Sequence, residues 1–406
     1  MSDTHKASVI TMSFVITGNL IGAGILALPV QTGLAGFWPS VLGSVVMWAM
    51  MLTTAMILAA QPALTESETA DLPSFFQQEL GMVGKWITIV ANLIILYGLL
   101  TAYLAASGSI IGSLSTNFSP GLASVIFFIT ATLLTVFGMK VMSRGNTVLM
   151  IGMWAAFLIL VLKCGANMDF GRLDYKDWGF LPATLPVMVT AFHFHNIIPT
   201  ICRSLGNDQW AVRKAMIIGT LIGLTMNLLW IFVVAGALPL VSTDGNNVLG
   251  AFIKNLPATV PLAKHLHSPL FTVMAALFAL LATTTSYMAN GMALMSFMRD
   301  LCATTFNTSN RVLAAALAFL PPLCVAFIEP AIFLKAVNVV GGVGIDVIFG
   351  VLPAVLVLKY APRRWKWTGI VLGALFLVVL FVELGQELGF LQLKPDVEYW
   401  TSQLKR

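Results

Sequence analysis

The chain has 406 residues, of which 58% are apolar and only 10% charged. A soluble domain carries about 25% charged residues, so this composition excludes a soluble enzyme, a disordered chain and a nucleic-acid reader. A mean hydropathy of +0.90 and a net charge of +5 point instead to a polytopic membrane protein with its positive charge gathered at the cytoplasmic face.

A helix needs about 20 apolar residues to cross about 30 Å of hydrocarbon. Runs of this kind predict eleven spans, at 9–32, 35–60, 87–113, 121–139, 147–166, 181–201, 215–238, 269–298, 312–328, 331–358 and 368–388. The first run lacks a cleavage site and reads as a retained span rather than a signal peptide. Between spans, Asp71–Lys85 reads as a surface helix with Phe75, Phe76 and Leu80 on one side, and Asn246–His267 as a lid. With the N-terminus in the cytoplasm, the basic short loops Lys140–Arg144, Arg203–Lys214 and Lys359–Lys366 fall on the inner side. An odd number of spans then puts the C-terminus outside. The four cysteines form no CxxC or Cys/His metal spacing.

Two spans carry helix breakers at their middles. Span 1 contains Thr17–Gly24 (TGNLIGAG), and span 6 contains Phe192–Pro199 (FHFHNIIP), preceded by Pro182 and Pro186. Broken backbone at membrane depth is tolerated where it lines a cavity. The breaks are five spans apart, which predicts two five-helix units of opposite topology with a ligand at their interface. Free N–H groups at the start of a half-helix attract a carboxylate. Free carbonyls at the end of the other attract an ammonium or a cation, so a zwitterion suits the site. The competing reading of Gly18 and Gly22 is small-residue helix packing.

These residues resemble the hydroxy and aromatic amino-acid permease family of the amino acid–polyamine–organocation superfamily. The first-span motif is GNLIGAGILALP at Gly18–Pro29. The third-span pattern matches Tyr97, Ala102-Tyr103 and Ser107-Gly108. The sixth-span motif corresponds to AFHFHNIIP at Ala191–Pro199, and the F-x-P-P segment to Phe319–Pro322. The set is closer to the tryptophan/tyrosine branch than to the serine/threonine branch. The resemblance implies a LeuT-like fold, all-α, as a 5+5 inverted repeat with helices 1 and 6 broken. Repeat one is then 9–166, repeat two 181–358, and 368–388 an extra helix. It also implies uptake of an aromatic L-amino acid coupled to a proton or sodium gradient. Three positions depart from the family pattern. His193 and Asn196 replace glycines in span 6, Met153 stands where a lysine is common, and Asp346 stands in an apolar span 10.

For the substrate, Gly22, Ala23 and Gly24 are expected to offer N–H groups to the carboxylate, with Gly18 allowing close approach and Asn19 bonding the unwound backbone of span 1. Phe192, His193, Phe194 and His195 are expected to form the opposite wall, where the phenyl rings would stack on an aromatic substrate. His195 is a donor, gate or proton carrier, or makes a structural bond to a freed carbonyl. Tyr97 and Tyr103 are six apart and point to different faces; Tyr103 is the one expected at the substrate, for a carboxylate contact or an outer gate, with Asn290 and Asn338 as weaker pocket residues. Thr285 and Ser286 match the superfamily's sodium site, against the ordinary reading that membrane hydroxyls bond their own helix. Asp346 is a proton carrier, or a partner for Lys335 or water near a gate; Glu329, Glu383 and Glu387 read as interfacial. No cofactor is expected, and sodium is the candidate bound ion. No obligate protein partner is expected. The remaining alternatives are a serine/threonine-type or broader neutral amino-acid symporter and a non-transporting amino-acid sensor. A membrane-embedded enzyme would need a nucleophile, metal cluster or acidic pair, and the sequence has no HExxH and no Asp-rich pair. The minimal loops suggest a bacterial inner membrane.

Overall fold

The computed structural model describes residues 8–65, 71–114, 119–137, 139–305, 308 and 310–396. Among them there is no strand, only one isolated bridge between Gly36 and Lys176. Among the described residues, eight helices are long and apolar enough to cross a membrane, and the pair Val9–Leu20 and Ala23–Gly33, bent by 55°, makes a ninth when taken as one span. Shorter apolar helices, Pro120–Val136 and Met150–Gly165, stand at the two remaining positions where spans are expected. The protein is an integral membrane protein. Its outward surface is apolar where lipid would lie, as at exposed Leu133, Leu162 and Phe381.

Polar caps fix several helix starts by satisfying N–H groups that no helical carbonyl reaches. Ser8 Oγ accepts from Thr11 N, Asp208 from Trp210 N and Ala211 N, and Asn310 from Val312 N and Leu313 N. Hydrophobic burial from water does not drive helices together inside lipid, so close backbone approach and interhelical hydrogen bonds matter more. Helix Val9–Leu20 shows both against Gln209–Ala237. Ser13 Oγ donates to Ala215 O at 3.2 Å and Thr17 Oγ1 to Gly219 O at 2.9 Å. A Cβ on Gly219 would stand 2.6 Å from Ser13 O.

Three expectations change in detail. The surface helix before span 3 ends at Gly81, whose φ of 74° kinks the continuous stretch Leu72–Leu114; Phe75 and Phe76 are buried. The region Asn246–His267 is two short helices, Val248–Ile253 and Thr259–His265. It lies on Ala23–Gly33, where Ala258 N donates to Leu26 O at 3.1 Å. Span 10 is not one α-helix. Phe333–Val339 runs into a π-helix, Val340–Val351, and then Leu352–Tyr360. The wider i→i+5 turn is frequent at functional sites, and here it carries Asp346.

Candidate functional site: a cavity between two broken helices

The first break lies at Ile21 and Gly22. Ile21 leaves helical geometry with ψ 87°, and Gly22 is non-helical at φ −144° and ψ −143° before the helix resumes at Ala23. The second break follows helix Leu185–Ala191. Phe192, His193 and Phe194 are unwound, one 3₁₀ turn covers His195–Ile197, and helix Ile198–Ser204 resumes. Proline at the second position of each half-helix, Pro186 and Pro199, suits a helix start because its missing N–H has no partner to lose there.

The two breaks touch. A Cβ on Gly24 would stand 2.6 Å from Ala191 Cα, so glycine is needed for this approach. Asn19 Nδ2 donates to His193 O at 3.2 Å and to Asn196 Oδ1 at 3.3 Å. Asn19 therefore reaches across to the other break instead of bonding its own.

A cavity of about 250 Å³ opens between them. Gly18, Asn19, Gly22, Ala23 and Gly24 border it from the first break, and Thr190, His193, Asn196 and Ile197 from the second. Helix Ala23–Gly33 starts at this cavity without a side-chain cap, and an uncapped helix start is an arrangement that can bind a carboxylate. Tyr103, Thr285, Ser286 and Asn290 supply the far wall. Asn290 Nδ2 lies 3.4 Å from Tyr103 Oη and donates to Ser286 O at 2.9 Å. A Cβ on Gly22 would meet Ser286 Oγ at 3.1 Å and Tyr103 Oη at 3.7 Å, so both hydroxyls face the break.

Other named residues lie elsewhere. Phe192, Phe194 and His195 are buried but do not line the cavity. His195 Nε2 lies 3.0 Å from Thr54 Oγ1. That hydroxyl also lies within hydrogen-bond reach of Met51 O, at 3.0 Å. His195 thus bonds a hydroxyl of the second span and no freed carbonyl. The parallel rings of His193 and His195 are 5.9 Å apart, and both pack on Phe349. Tyr97 turns away and donates to Leu317 O at 2.7 Å. Thr285 Oγ1 donates to Leu281 O at 2.9 Å, leaving its lone pairs free for a cation. Among the described residues, no three His, Cys, Asp or Glu side chains gather. Asn338 and Asp346 do not border the cavity.

Sequence reasoning did not assign Thr190, Asn196 or Met153 to the site. Asn196 and Met153 were visible only as departures from a family pattern. Thr190 lies next to the helix end, and nothing in its neighbours signals a lining role.

The model of the tryptophan/tyrosine permease family matches residues 5–388. The chain belongs to this family. Among its relatives, "Tyrosine-specific transport system 1" of Haemophilus influenzae is 28% identical over 341 residues, covering 81% of this chain and 82% of the relative. "Tryptophan-specific transport protein" of Pseudomonas aeruginosa is 26% identical, covering 83% of each. "Tryptophan-specific transport protein" of Haemophilus influenzae is also 26% identical, covering 88% of each. These permeases are transport proteins and not enzymes.

Proposed function

We propose that the chain is a symporter that takes up an aromatic L-amino acid of the tryptophan/tyrosine class with a proton or sodium, by alternating access. The observation that carries this reading is the cavity bordered by both broken helices. The Ala23–Gly24 helix start receives the carboxylate, and the carbonyls ending helix Val9–Leu20 receive the ammonium. The side chain extends toward Tyr103 and His193. Family membership and the printed names of the relatives support an aromatic substrate. The fold in this reading is a LeuT-like 5+5 inverted repeat of eleven spans, repeats 9–166 and 181–358 with 368–388 added. The touching breaks, five helices apart, support it. The N-terminus is cytoplasmic and the C-terminus outside, in a bacterial inner membrane. The helix pairs 1–2 and 6–7 move against the rest to switch access.

One observation favours a second reading, a serine/threonine-type or broader neutral amino-acid symporter. Neither Phe192 nor Phe194 lines the cavity, while Asn19, Asn196 and Asn290 do. Binding of each of the twenty amino acids to purified protein, with and without sodium, separates the two. Preference for tryptophan or tyrosine supports the first reading; preference for a small hydroxylated side chain supports the second.

A further inference from the structure

We propose that Asp346 and Glu383 are a pair of separately protonated carboxyls on one buried helix interface, outside the lining of the substrate cavity, with Glu387 at its solvent end. The proposal rests on the transporter reading above and names the coupled ion as a proton.

Asp346 is completely buried, and neither of its oxygens has a hydrogen-bond partner. A carboxylate in that position has no donor to replace water, so ionisation is costly and the protonated acid is the form the site accommodates. The neighbouring contacts show where Asp346 points. Gly342, Asp346 and Gly350 are four residues apart, a spacing that keeps one face in an α- or π-helix. A Cβ on Gly342 would stand 2.6 Å from Glu383 Cβ, and one on Gly350 would overlap the Phe376 ring. Both contacts belong to helix Lys366–Glu387. Asp346 therefore faces that helix, between the levels of Glu383 and Phe376.

Glu383 is 2% exposed, although its place near a span end reads as interfacial in the sequence. Glu387 follows one turn later on the same face. Its Oε2 is 2.8 Å from Lys335 Nζ, and both side chains are partly exposed, at 29% and 55%. Three carboxyl groups thus step from solvent to the buried interior along one helix interface. Lys335 marks the solvent end and does not pair with Asp346.

No other ionisable group from the packed segments competes for this face. Phe37–Ala59 and Leu185–Ala191 carry none. The long helix Leu72–Leu114 turns Ala91 and Ile95 toward Gly344; its Tyr97 bonds Leu317 O. Lys359 of Leu352–Tyr360 donates to Glu79 O. His193 and His195 contact Phe349, three residues beyond Asp346. Through that ring, a change of charge at Asp346 has a packed route to the second break. Proton movement needs no other reactant. Each carboxylate takes a proton from water on the solvent side to become the neutral acid, and gives it back to water on the opposite side after access switches.

The test uses full-length protein in proteoliposomes, with wild type, Asp346→Asn and Glu383→Gln. Two readouts are needed: exchange of labelled tryptophan or tyrosine at equal pH, and accumulation driven by an imposed pH gradient. The pair predicts that exchange continues while gradient-driven accumulation falls about tenfold or more in both variants. Accumulation at the wild-type level in both variants, or wild-type accumulation driven by sodium alone, overturns the pair. Absence of exchange in wild type contradicts the substrate reading, not the pair. The pair is then judged by infrared spectroscopy, which should show a buried protonated carboxyl band, shifted in D₂O and missing in Asp346→Asn. If Asp346→Asn does not fold, Glu383→Gln and the wild-type band decide; a wild-type spectrum without such a band overturns the proposal.

Discussion

Asn19 and Asn196 join the two broken helices, with Asn19 Nδ2 3.3 Å from Asn196 Oδ1 and 3.2 Å from His193 O. One amide therefore ties the break of span 1 to the break of span 6, the two spans that move together in the proposed access switch. Replacing Asn19 with Leu keeps the volume and removes both bonds, each worth about 1 kcal/mol. Uptake rate should fall by about tenfold, and the melting temperature in detergent should drop by about a few degrees. An unchanged uptake rate would make the link incidental.

Gly24 and Gly18 should respond differently to alanine. At Gly24 the new methyl would collide with the Ala191 backbone at 2.6 Å, which cannot move without moving a helix. At Gly18 it would meet only the mobile end of Met150, at 3.0 Å. Overpacking of the first kind costs about 1–3 kcal/mol. Gly24→Ala should lower the melting temperature in detergent and abolish uptake, whereas Gly18→Ala should fold normally. Equal melting temperatures for the two would contradict the close contact.

Tyr103→Phe removes one hydroxyl facing Gly22 and Asn290 while keeping the ring. If that hydroxyl contacts the substrate, KM should rise about tenfold, the effect of one hydrogen bond to a charged group, with expression unchanged. Tyr97→Phe should leave KM alone, because Tyr97 bonds Leu317 O outside the cavity. A similar KM for both variants would remove Tyr103 from the site.

Thr285 and Ser286 border the cavity as the only two adjacent hydroxyls among its described lining residues. If replacing sodium with choline lowers wild-type uptake, against the proton reading, that dependence should disappear in the double variant Thr285→Ala/Ser286→Ala. A dependence that survives locates the ion elsewhere.

Arg172 Nη1 donates to Gly236 O and Ala237 O at 3.1 and 2.7 Å, closing the last turn of helix Gln209–Ala237. A cation there satisfies end carbonyls and complements the helix dipole. Arg172→Met should lower stability by about 1–2 kcal/mol, read as a lower melting temperature with KM unchanged.

Both breaks were legible because glycine, proline and paired histidines interrupt apolar runs that have no other reason to contain them. The direction of each side chain inside the second break was not. Helical periodicity assigns faces, and Phe192–Phe194 have no helical period, so the stacking wall expected of the two phenyl rings had no geometric support. The π-helix was equally hidden, since a wider turn adds a residue without changing composition. Glu383 looked interfacial from its distance along the span. Its burial depends on Gly342, a residue of another helix that lets the glutamate stem approach. Asn19 was assigned the right kind of bond and the wrong partner, because the second break lies 174 residues away in sequence.

Uptake of labelled tryptophan and tyrosine into proteoliposomes under an imposed proton or sodium gradient tests the central claim most directly. The account predicts accumulation above the equilibrium level for at least one of the two, abolished when the gradient is collapsed and competed by the unlabelled amino acid. Failure of both to accumulate under either gradient, by protein shown to be folded, would contradict it.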